Sequence, residues 1–122
     1  MDYKNDFVNE EVVEFQVDER VFGYKPTTAG DENDWLNEYM VPNEDGTRLV
    51  QDSSKLNKCK LKNLVTVPWP KELIQQLIGL SKDWCNLNYG ERWEVLSKLN
   101  PSLFSEIIKK INQIDNPLKK KD

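Results

Sequence analysis

Large apolar residues recur at helical spacing throughout residues 70–115, and this pattern restricts the fold more than any other feature of the chain. Its first segment carries apolar side chains at steps of four, three and four, at Leu73, Leu77, Leu80 and Trp84. Residues with this spacing lie on one face of an α-helix. Pro70 stands where the first helical residue is expected, since the N–H that proline lacks would have no partner there. The segment therefore predicts an amphipathic helix that starts at Pro70.

Two further helices are predicted before Asn116-Pro117 ends the pattern. Asn88, with Glu91 three residues later, is typical of a capping box at a helix start. The inward face of this helix is expected to consist of Tyr89, Trp93, Leu96 and Leu99. Asn100-Pro101 ends it and starts a third helix, whose apolar stripe is Phe104, Ile107, Ile108, Ile111 and Ile114. The residues that we expect to be largely buried are Trp93, Leu96, Phe104, Ile107 and Ile111.

Nearer the N-terminus the apolar pattern has a period of two. Val13, Phe15 and Val17 alternate with polar residues, which predicts a strand with one buried and one exposed face. A turn at residues 18–20 and a second extended run up to Lys25-Pro26 complete a β-hairpin near residues 12–25. The hairpin either covers one side of the helices or leaves an exposed edge that pairs with another chain.

These patterns predict an α+β fold, in which an N-terminal β-hairpin packs on a mainly helical domain with a C-terminal three-helix unit. At 122 residues the chain is long enough to bury one hydrophobic core. We expect a flexible N-terminus at residues 1–10, a single domain at residues 11–115 and a basic tail at residues 116–122.

A further helix is predicted to begin at Thr28 or Gly30. Its first turn carries three acids, which the positive end of the helix dipole stabilises: Asp31, Glu32 and Asp34. Its inward-facing residues are expected to be Trp35, Leu36, Tyr39 and Met40. The acidic cluster lacks the central glycine and the closing glutamate of a calcium loop, so it predicts no metal site.

The stretch between this helix and residue 67 is less regular. Asp45-Gly46 indicates a turn. Residues 53–64 have the spacing of a short helix capped by Asp52 or Ser53, but an alternation at Cys59, Leu61, Val65 and Val67 is equally typical of a strand. Both interpretations of residues 53–66 stay open. The same stretch contains a basic band, interpreted as a solvated helix face, at Lys55, Lys58, Lys60 and Lys62.

The composition excludes several kinds of chemistry. The chain has no histidine, so His-based catalytic triads and His-containing zinc sites are ruled out. Cys59 and Cys85 lack the spacing of a metal or redox motif and are expected to be free thiols, buried or half-buried. The five glycines are scattered, so no phosphate-binding loop is present. We expect no enzyme activity, no cofactor and no metal.

Charge and hydropathy limit the classes of partner that the chain is expected to bind. A net charge of −4 disfavours nucleic acid, whose phosphates normally require a basic surplus. No apolar run approaches the roughly 18–20 residues that a membrane span needs. The first residues lack the basic and apolar regions of a signal peptide, so a cytoplasmic location is expected.

Several passages of the sequence follow one another in an order that resembles a known family. They are Phe22–Glu32, Gln51–Leu56, Val65–Pro68, Glu91–Leu96 and Asn100–Ile108. Their order and spacing resemble the small tail assembly chaperones of long-tailed phages and related proviruses, over residues 20–112. The resemblance implies a non-catalytic protein that coats the hydrophobic tape-measure protein before the tail tube polymerises, and that is absent from the finished virion. No binding residues transfer with it.

The candidate protein-binding residues come from the last predicted helix. Its apolar stripe is wider than a narrow seam requires, and it includes Ile107, Ile108 and Ile111. Either one row of this stripe is open to a client helix, or both rows close the protein's own core. The expected partners are a protein client, such as the tape-measure protein, and a second copy of the chain. The alternative function is that of a structural virion component or a small adaptor.

Overall fold

Five strands and five α-helices follow one another along residues 3–116, which are the residues that the computed structural model describes. The N-terminal half contains β1 (Val13–Val17), β2 (Arg20–Tyr24), α1 (Ala29–Tyr39), β3 (Met40–Pro42), β4 (Leu49–Gln51), α2 (Ser53–Lys60) and β5 (Leu64–Thr66). The C-terminal part contains α3 (Lys71–Ile78), α4 (Tyr89–Leu96) and α5 (Pro101–Asp115). The predicted α+β fold is confirmed. Residues 117–122 of the predicted basic tail lie outside the described range, and the flexibility of residues 1–10 stays a prediction.

The predicted N-terminal hairpin is present, but it belongs to a larger sheet. β1 and β2 pair antiparallel with Phe15 opposite Phe22, and the two rings stack with their centroids 5.4 Å apart. β5 joins the other side of β2, which gives the strand order β1-β2-β5. The hairpin near residues 12–25 is confirmed, and the sequence did not predict that β5 would extend it into a three-stranded sheet. Because β2 is central, β1 is the strand of the hairpin that forms a sheet edge.

Gly23 makes the close packing around the central strand possible. A Cβ atom at this position would lie 2.9 Å from Val12 Cγ1 and 3.0 Å from Thr66 Cβ. Real Cβ atoms do not approach other carbon atoms so closely. The pairing of β2 with β5 also shifts register between Gly23 and Tyr24. Gly23 thus lets two side chains cover the sheet at the point where the ladder is irregular.

The helix expected after the hairpin begins as predicted. Thr28 is its N-cap, and its side chain accepts a hydrogen bond from Asp31 N–H while Asp31 Oδ2 accepts one from Thr28 N–H, both at 3.1 Å. Trp35 and Tyr39 are buried as expected, but Leu36 is exposed and lies on the other side of the helix. Met40 belongs not to the helix but to β3, which pairs with β4 in a second, unpredicted sheet. The predicted turn at Asp45-Gly46 connects these strands, with Gly46 at φ +71°.

Residues 53–66 form both of the structures that the sequence left open. The chain is helical in α2, makes one 3-10 turn at Leu61–Asn63 and then extends into β5. α2 packs on α1 around a small core of Trp35, Tyr39, Leu56 and Cys59. Both cysteines are free, as predicted; Cys59 is buried, whereas Cys85 is exposed and not half-buried.

The three C-terminal helices are confirmed, with corrections to the start and the end of the first. α3 ends at Ile78 because Gly79 adopts the left-handed conformation, φ +76°, of a helix C-cap. The predicted stripe therefore extends beyond the helix, and Leu80 and Trp84 lie outside it. Trp84 instead sits in a 3-10 turn, where its Nε1–H donates to the carbonyl of Leu64 at 2.8 Å. Pro70 is the N-cap of α3 and not its first helical residue.

The main core lies between the three-stranded sheet and the C-terminal helices. Its fully buried side chains include Phe22, Tyr24, Leu61, Leu64, Ile74, Val95, Leu96, Ile107 and Ile111. Trp69 contacts Phe22 and Trp84 edge to face, at centroid distances of 5.5 and 5.9 Å. Of the residues expected to be buried, Trp93 and Phe104 are only half-buried. Among residues 3–116, no helix is long and apolar enough to cross a membrane.

Gly23→Ala should destabilise the fold by about 1–3 kcal/mol, because the new methyl group has to displace Val12 and Thr66. Chemical denaturation followed by tryptophan fluorescence measures the change. Gly30→Ala is the matched control. Gly30 lies in α1, and its nearest neighbour, Thr28 Oγ1, would be at an ordinary 3.7 Å. This control should leave stability unchanged or raise it by up to about 1 kcal/mol. Equal effects of the two substitutions would contradict the packing argument.

Asp31 should make stability depend on pH. Partial burial raises the pKa of its carboxyl, but hydrogen bonds from Thr28 and Asn63 and the charge of Lys25 outweigh burial, so the pKa lies below its usual value of 3.8. A carboxyl whose pKa is lower in the folded state than in the unfolded state stabilises the folded state. This stabilisation is complete above the pKa of the unfolded state and is lost as the pH falls through the pKa of the folded state. Asp31→Asn should therefore cost about 1 kcal/mol at pH 7, and this cost should begin to shrink once the pH falls below about 3.8 and vanish only below the lowered pKa of the folded state. Urea titrations at pH 7, 5 and 3 measure it, with the exposed Asp34→Asn as the control for net charge; a cost that is undiminished at pH 3 would disprove it.

Candidate protein-binding groove

A surface groove of about 530 Å³ lies where α2, α4 and α5 meet. Its apolar floor consists of Trp93 from α4 and of Phe104 and Ile108 from α5. The opposite wall is polar and comes from α2, with Lys55, Asn57 and Lys58. We call this cavity the α2–α5 groove. It combines large apolar side chains with a lysine rim.

The aromatic floor is held by specific contacts. The rings of Trp93 and Phe104 meet edge to face, with their centroids 6.1 Å apart. Lys58 Nζ lies 4.4 Å from the centroid of the Trp93 ring, within the range of a cation–π interaction. The charged ammonium of Lys58 thus lies over the Trp93 ring at the edge of the floor. The groove thus presents apolar surface directly beside positive charge.

α4 is positioned by its predicted cap and by one tyrosine. Asn88 Oδ1 accepts from Glu91 N–H, and Glu91 Oε1 accepts from Asn88 N–H, both at 2.9 Å, which confirms the predicted capping box. Tyr89 OH donates to the carbonyl of Lys58 at 2.8 Å and so ties α4 to α2. Burial, with a smaller contribution from nearby negative groups, raises the pKa of Tyr89, so this hydroxyl keeps the proton that it donates.

The structure separates the three residues that the sequence proposed for protein binding. Ile107 and Ile111 are fully buried in the main core, so they present no surface to a partner in the folded chain. Ile108 lies on the neighbouring row of α5 and lines the groove. Phe104, four residues earlier, lies on the same row, because positions i and i+4 share a helix face. The prediction of an accessible row is therefore narrowed to Phe104 and Ile108.

Sequence reasoning missed the other contributions to the groove. Trp93 was expected in the core, and the lysines of α2 were interpreted only as a solvated band. A signal for the exposed row was present in the sequence, since α5 carries two adjacent apolar rows. Which row turns outward depends on how α4 and the sheet pack on α5, and no local pattern encodes that.

One lysine of the basic band is buried, which corrects the interpretation of the whole band as solvated. Lys60 is 5% exposed, while Lys55 and Lys58 are exposed as expected. Lys60 Nζ lies 3.1 Å from Asp115 Oδ2 and donates to Asn112 Oδ1 at 2.9 Å. The side chain of Asp115 is itself only 7% exposed. A buried lysine is tolerated only when it is paired and hydrogen-bonded, as it is here.

Asp115 accepts hydrogen bonds from residues that are distant in the sequence. Its Oδ2 accepts from Tyr24 OH and from Thr27 Oγ1, both at 2.8 Å, and its Oδ1 accepts from Thr27 N–H at 2.9 Å. Burial raises the pKa of Tyr24, and the negative charge of Asp115 raises it further, so the phenol remains a donor. We call Tyr24, Thr27, Lys60, Asn112 and Asp115 the Asp115 cluster.

The Asp115 cluster is hydrogen-bonded to a residue of the groove wall. Asn112 Nδ2 donates to Asn57 Oδ1 at 3.0 Å, and Asn57 lines the groove wall. Two successive side-chain contacts therefore connect α5 to α2 beside the α2–α5 groove. Within residues 3–116, every buried side-chain nitrogen and oxygen has a hydrogen-bond partner. The cluster thus fixes the position of α2 on α5, and with it the width of the groove.

The described residues contain no group of three or more Cys, Asp or Glu side chains arranged to hold a metal ion. A polar pocket of about 320 Å³ lies beside the Asp115 cluster and is lined in part by Thr28, Glu32 and Lys60. The Lys60 ammonium that faces it already contacts Asp115 and Asn112. The α2–α5 groove is therefore the stronger candidate for a functional site.

Comparison with known proteins identifies no relative. The sequence matches no protein-family model, and neither a curated protein nor a solved structure is significantly similar to the chain.

Removing the cation of the Asp115 cluster should destabilise the fold strongly. Lys60→Met leaves the Asp115 carboxylate buried without its cation, which should cost about 3–5 kcal/mol. Lys62→Met is the control, because Lys62 pairs with Glu38 near the surface, and such a pair contributes less than about 1 kcal/mol. Unfolding by urea measures both. The double variant Lys60→Met/Asp115→Asn, which removes both charges, should recover part of the loss. Equal costs for Lys60→Met and Lys62→Met would show that the cluster does not stabilise the fold.

Proposed function

We propose that this chain is a non-catalytic protein that binds an amphipathic helix of another protein in the α2–α5 groove. The observation that carries the proposal is the combination of Trp93, Phe104 and Ile108 on an accessible surface. A groove of this kind is used in helix recognition, in which apolar residues at i, i+3 or i+4 and i+7 of the ligand act as anchors. Its volume of about 530 Å³ is within the range of specific binding pockets.

The charges at the rim indicate what the bound helix should carry beside its anchors. Lys55 and Lys58 are exposed on one wall. Asp52, the acid at the end of this wall, accepts a hydrogen bond from Lys55 N–H at 3.1 Å and caps α2. A ligand with acidic side chains next to its apolar anchors would complement this arrangement, and complementary charge mainly sets specificity and association rate. The proposed ligand is therefore a helix with an apolar face flanked by Asp or Glu.

Among proteins that bind helices, we propose the role of a tail assembly chaperone of a long-tailed phage or provirus. The resemblance in the order of sequence passages supports it, and so does a groove suited to an apolar helix. In this role the chain would cover part of the tape-measure protein in the cytoplasm of the host cell, before the tail tube forms. It would leave when the tube polymerises, so a groove that binds reversibly fits the task.

A structural role in the virion is the second candidate, and one observation favours it. β1 is an edge strand, and within the described residues its ladder partner is β2. An edge strand can accept a strand from a neighbouring subunit, as in assemblies that grow by β-augmentation. Mass spectrometry of purified particles separates the two roles, because a chaperone is absent from them and a structural component is present.

The groove can be tested with a client helix. The chain is co-expressed with the longest helical protein encoded beside its gene, and the complex is isolated by gel filtration. Ile108→Asp places a charge on the apolar floor and should weaken binding at least about tenfold. Leu49→Asp is the matched control, since Leu49 is 61% exposed on β4 and does not line the groove. Binding that survives Ile108→Asp but not Leu49→Asp would place the site elsewhere; no complex and no gain in client solubility would disprove the proposed function.

A further inference from the structure

The residues before β1 expose apolar side chains that the fold does not use. Phe7 is 78% exposed, Tyr3 62% and Val8 44%. A 3-10 turn at Lys4–Asp6 orders this stretch, with Asp6 N–H donating to Tyr3 O at 3.0 Å. We call residues 3–11 the N-terminal arm. An aromatic ring as exposed as that of Phe7 gains free energy when any apolar surface covers it.

The arm lies at one end of α5, whereas the groove begins further back along the helix. Val8 lines a small cavity with Pro26 and Ile114, and Glu10 Oε1 lies 3.3 Å from Lys25 Nζ. Ile108 precedes Ile114 by six residues, which correspond to about 9 Å of helix rise and about 1.7 turns. Phe7 directly precedes Val8 in the sequence. These contacts hold the residues that follow Phe7 beside Ile114, about 9 Å along α5 from Ile108.

The chemistry of the arm matches the ligand that the groove requires. Residues 3–11 contain three acids, Asp6, Glu10 and Glu11, against the single basic residue Lys4. Apolar anchors and acids thus lie close together on a short segment. The groove offers the complement, an apolar floor of Trp93, Phe104 and Ile108 beside the lysines of α2. A second copy of the chain carries such an arm and such a groove.

We propose that two copies associate by placing the N-terminal arm of each in the α2–α5 groove of the other. Phe7 is the main anchor, on the ring surface of Trp93 and Phe104, and the acids of the arm face Lys55 and Lys58. The exchange is reciprocal, so it closes a twofold dimer. One Phe and one Tyr bury roughly 150–250 Å² each, so the interface is small and the dimer weak. The proposal rests on the function assigned to the groove, because the arm occupies the site that the client needs.

Association is tested with the full chain by sedimentation equilibrium or light scattering over about 1–200 μM, a range that detects weak dimers. The mass should rise with concentration from 14.3 kDa toward twice that value. Phe7→Ser should raise the dimer dissociation constant at least about tenfold, because each dimer loses two anchors. Leu49→Ser, which removes another exposed apolar side chain outside the arm and groove, should leave it unchanged. A wild-type chain that stays at 14.3 kDa, or equal dimerisation of Phe7→Ser and wild type, would overturn the proposal.

Cross-linking identifies which copy holds the arm. Cys85→Ser removes the exposed thiol, and Cys59 is buried. In this background Asn5→Cys is placed on one chain and Ser105→Cys, beside the groove floor, on another. Mild oxidation of the mixture should give a disulfide-linked dimer far faster than either variant alone. If cross-linking occurs instead within a single chain that carries both substitutions, and not between chains, the arm binds its own groove and the exchange is wrong.

The proposed dimer and the proposed client binding can be disproved independently of each other. If the wild-type chain is monomeric but binds the client through Ile108, the exchange is disproved and the proposed function stands. If Phe7→Ser and Ile108→Asp both abolish the dimer while no client binds, the exchange stands and the function fails. If both hold, Phe7→Ser should bind the client more tightly than wild type at concentrations where the wild type is dimeric, since its grooves are empty.

Discussion

The position of the last helix depends on one carboxylate. Asp115 ends α5, where the helix dipole disfavours an acid. The cost is offset because its two oxygens receive four hydrogen-bonding donors: Tyr24 OH, Thr27 N–H, Thr27 Oγ1 and the ammonium of Lys60. Three of these donors lie at Oδ2 and one at Oδ1, so both oxygens of the carboxylate are paired. These donors come from the end of β2, the loop before α1 and the end of α2. A single buried charge therefore fixes four elements that the hydrophobic effect alone would hold without a unique register.

The cluster contributes more to the uniqueness of the arrangement than to total stability. Replacing a buried ion pair by apolar residues often leaves stability unchanged, whereas removing one partner is costly. An alternative packing of α5 that kept Ile107 and Ile111 buried but moved Asp115 away would leave the Lys60 ammonium with one acceptor fewer. Apolar rows alone specify an arrangement less strictly than a polar cluster whose members must all be paired. The cluster also holds the groove wall in position, because Asn112 connects this cluster to Asn57 in the groove wall.

The features that could be predicted from the sequence are those with a local cause. Thr28 and Asn88 cap helices through partners three residues away, and the alternation from Val13 to Val17 encodes a strand. The end of α3 also has a local cause, because glycine is the usual C-cap and Gly79 follows the helix. The apolar spacing through Trp84 instead predicts a longer helix, and that prediction was wrong. The pairing of β5 with β2 could not be predicted, because Gly23 and Thr66 are far apart in sequence. Nothing local distinguishes Lys60 from Lys58, and the partner that buries Lys60 is 55 positions away, at Asp115.

The same long-range packing decides which row of α5 is accessible. Ile107 and Ile108 are adjacent in sequence, so their side chains leave the helix about a quarter of a turn apart. The sheet, α3 and α4 cover the row of Ile107, and α2 approaches the row of Ile108 but carries lysines there instead of apolar residues. Lys58 places its ammonium over the ring of Trp93. An apolar residue in its place would complete the core and close the groove. In the absence of a ligand, Lys58 instead covers part of the aromatic floor with a charged group. In the proposed function, a ligand with acidic and apolar side chains displaces Lys58 from the ring and pairs with its charge, so the floor is protected from water but remains accessible to the ligand.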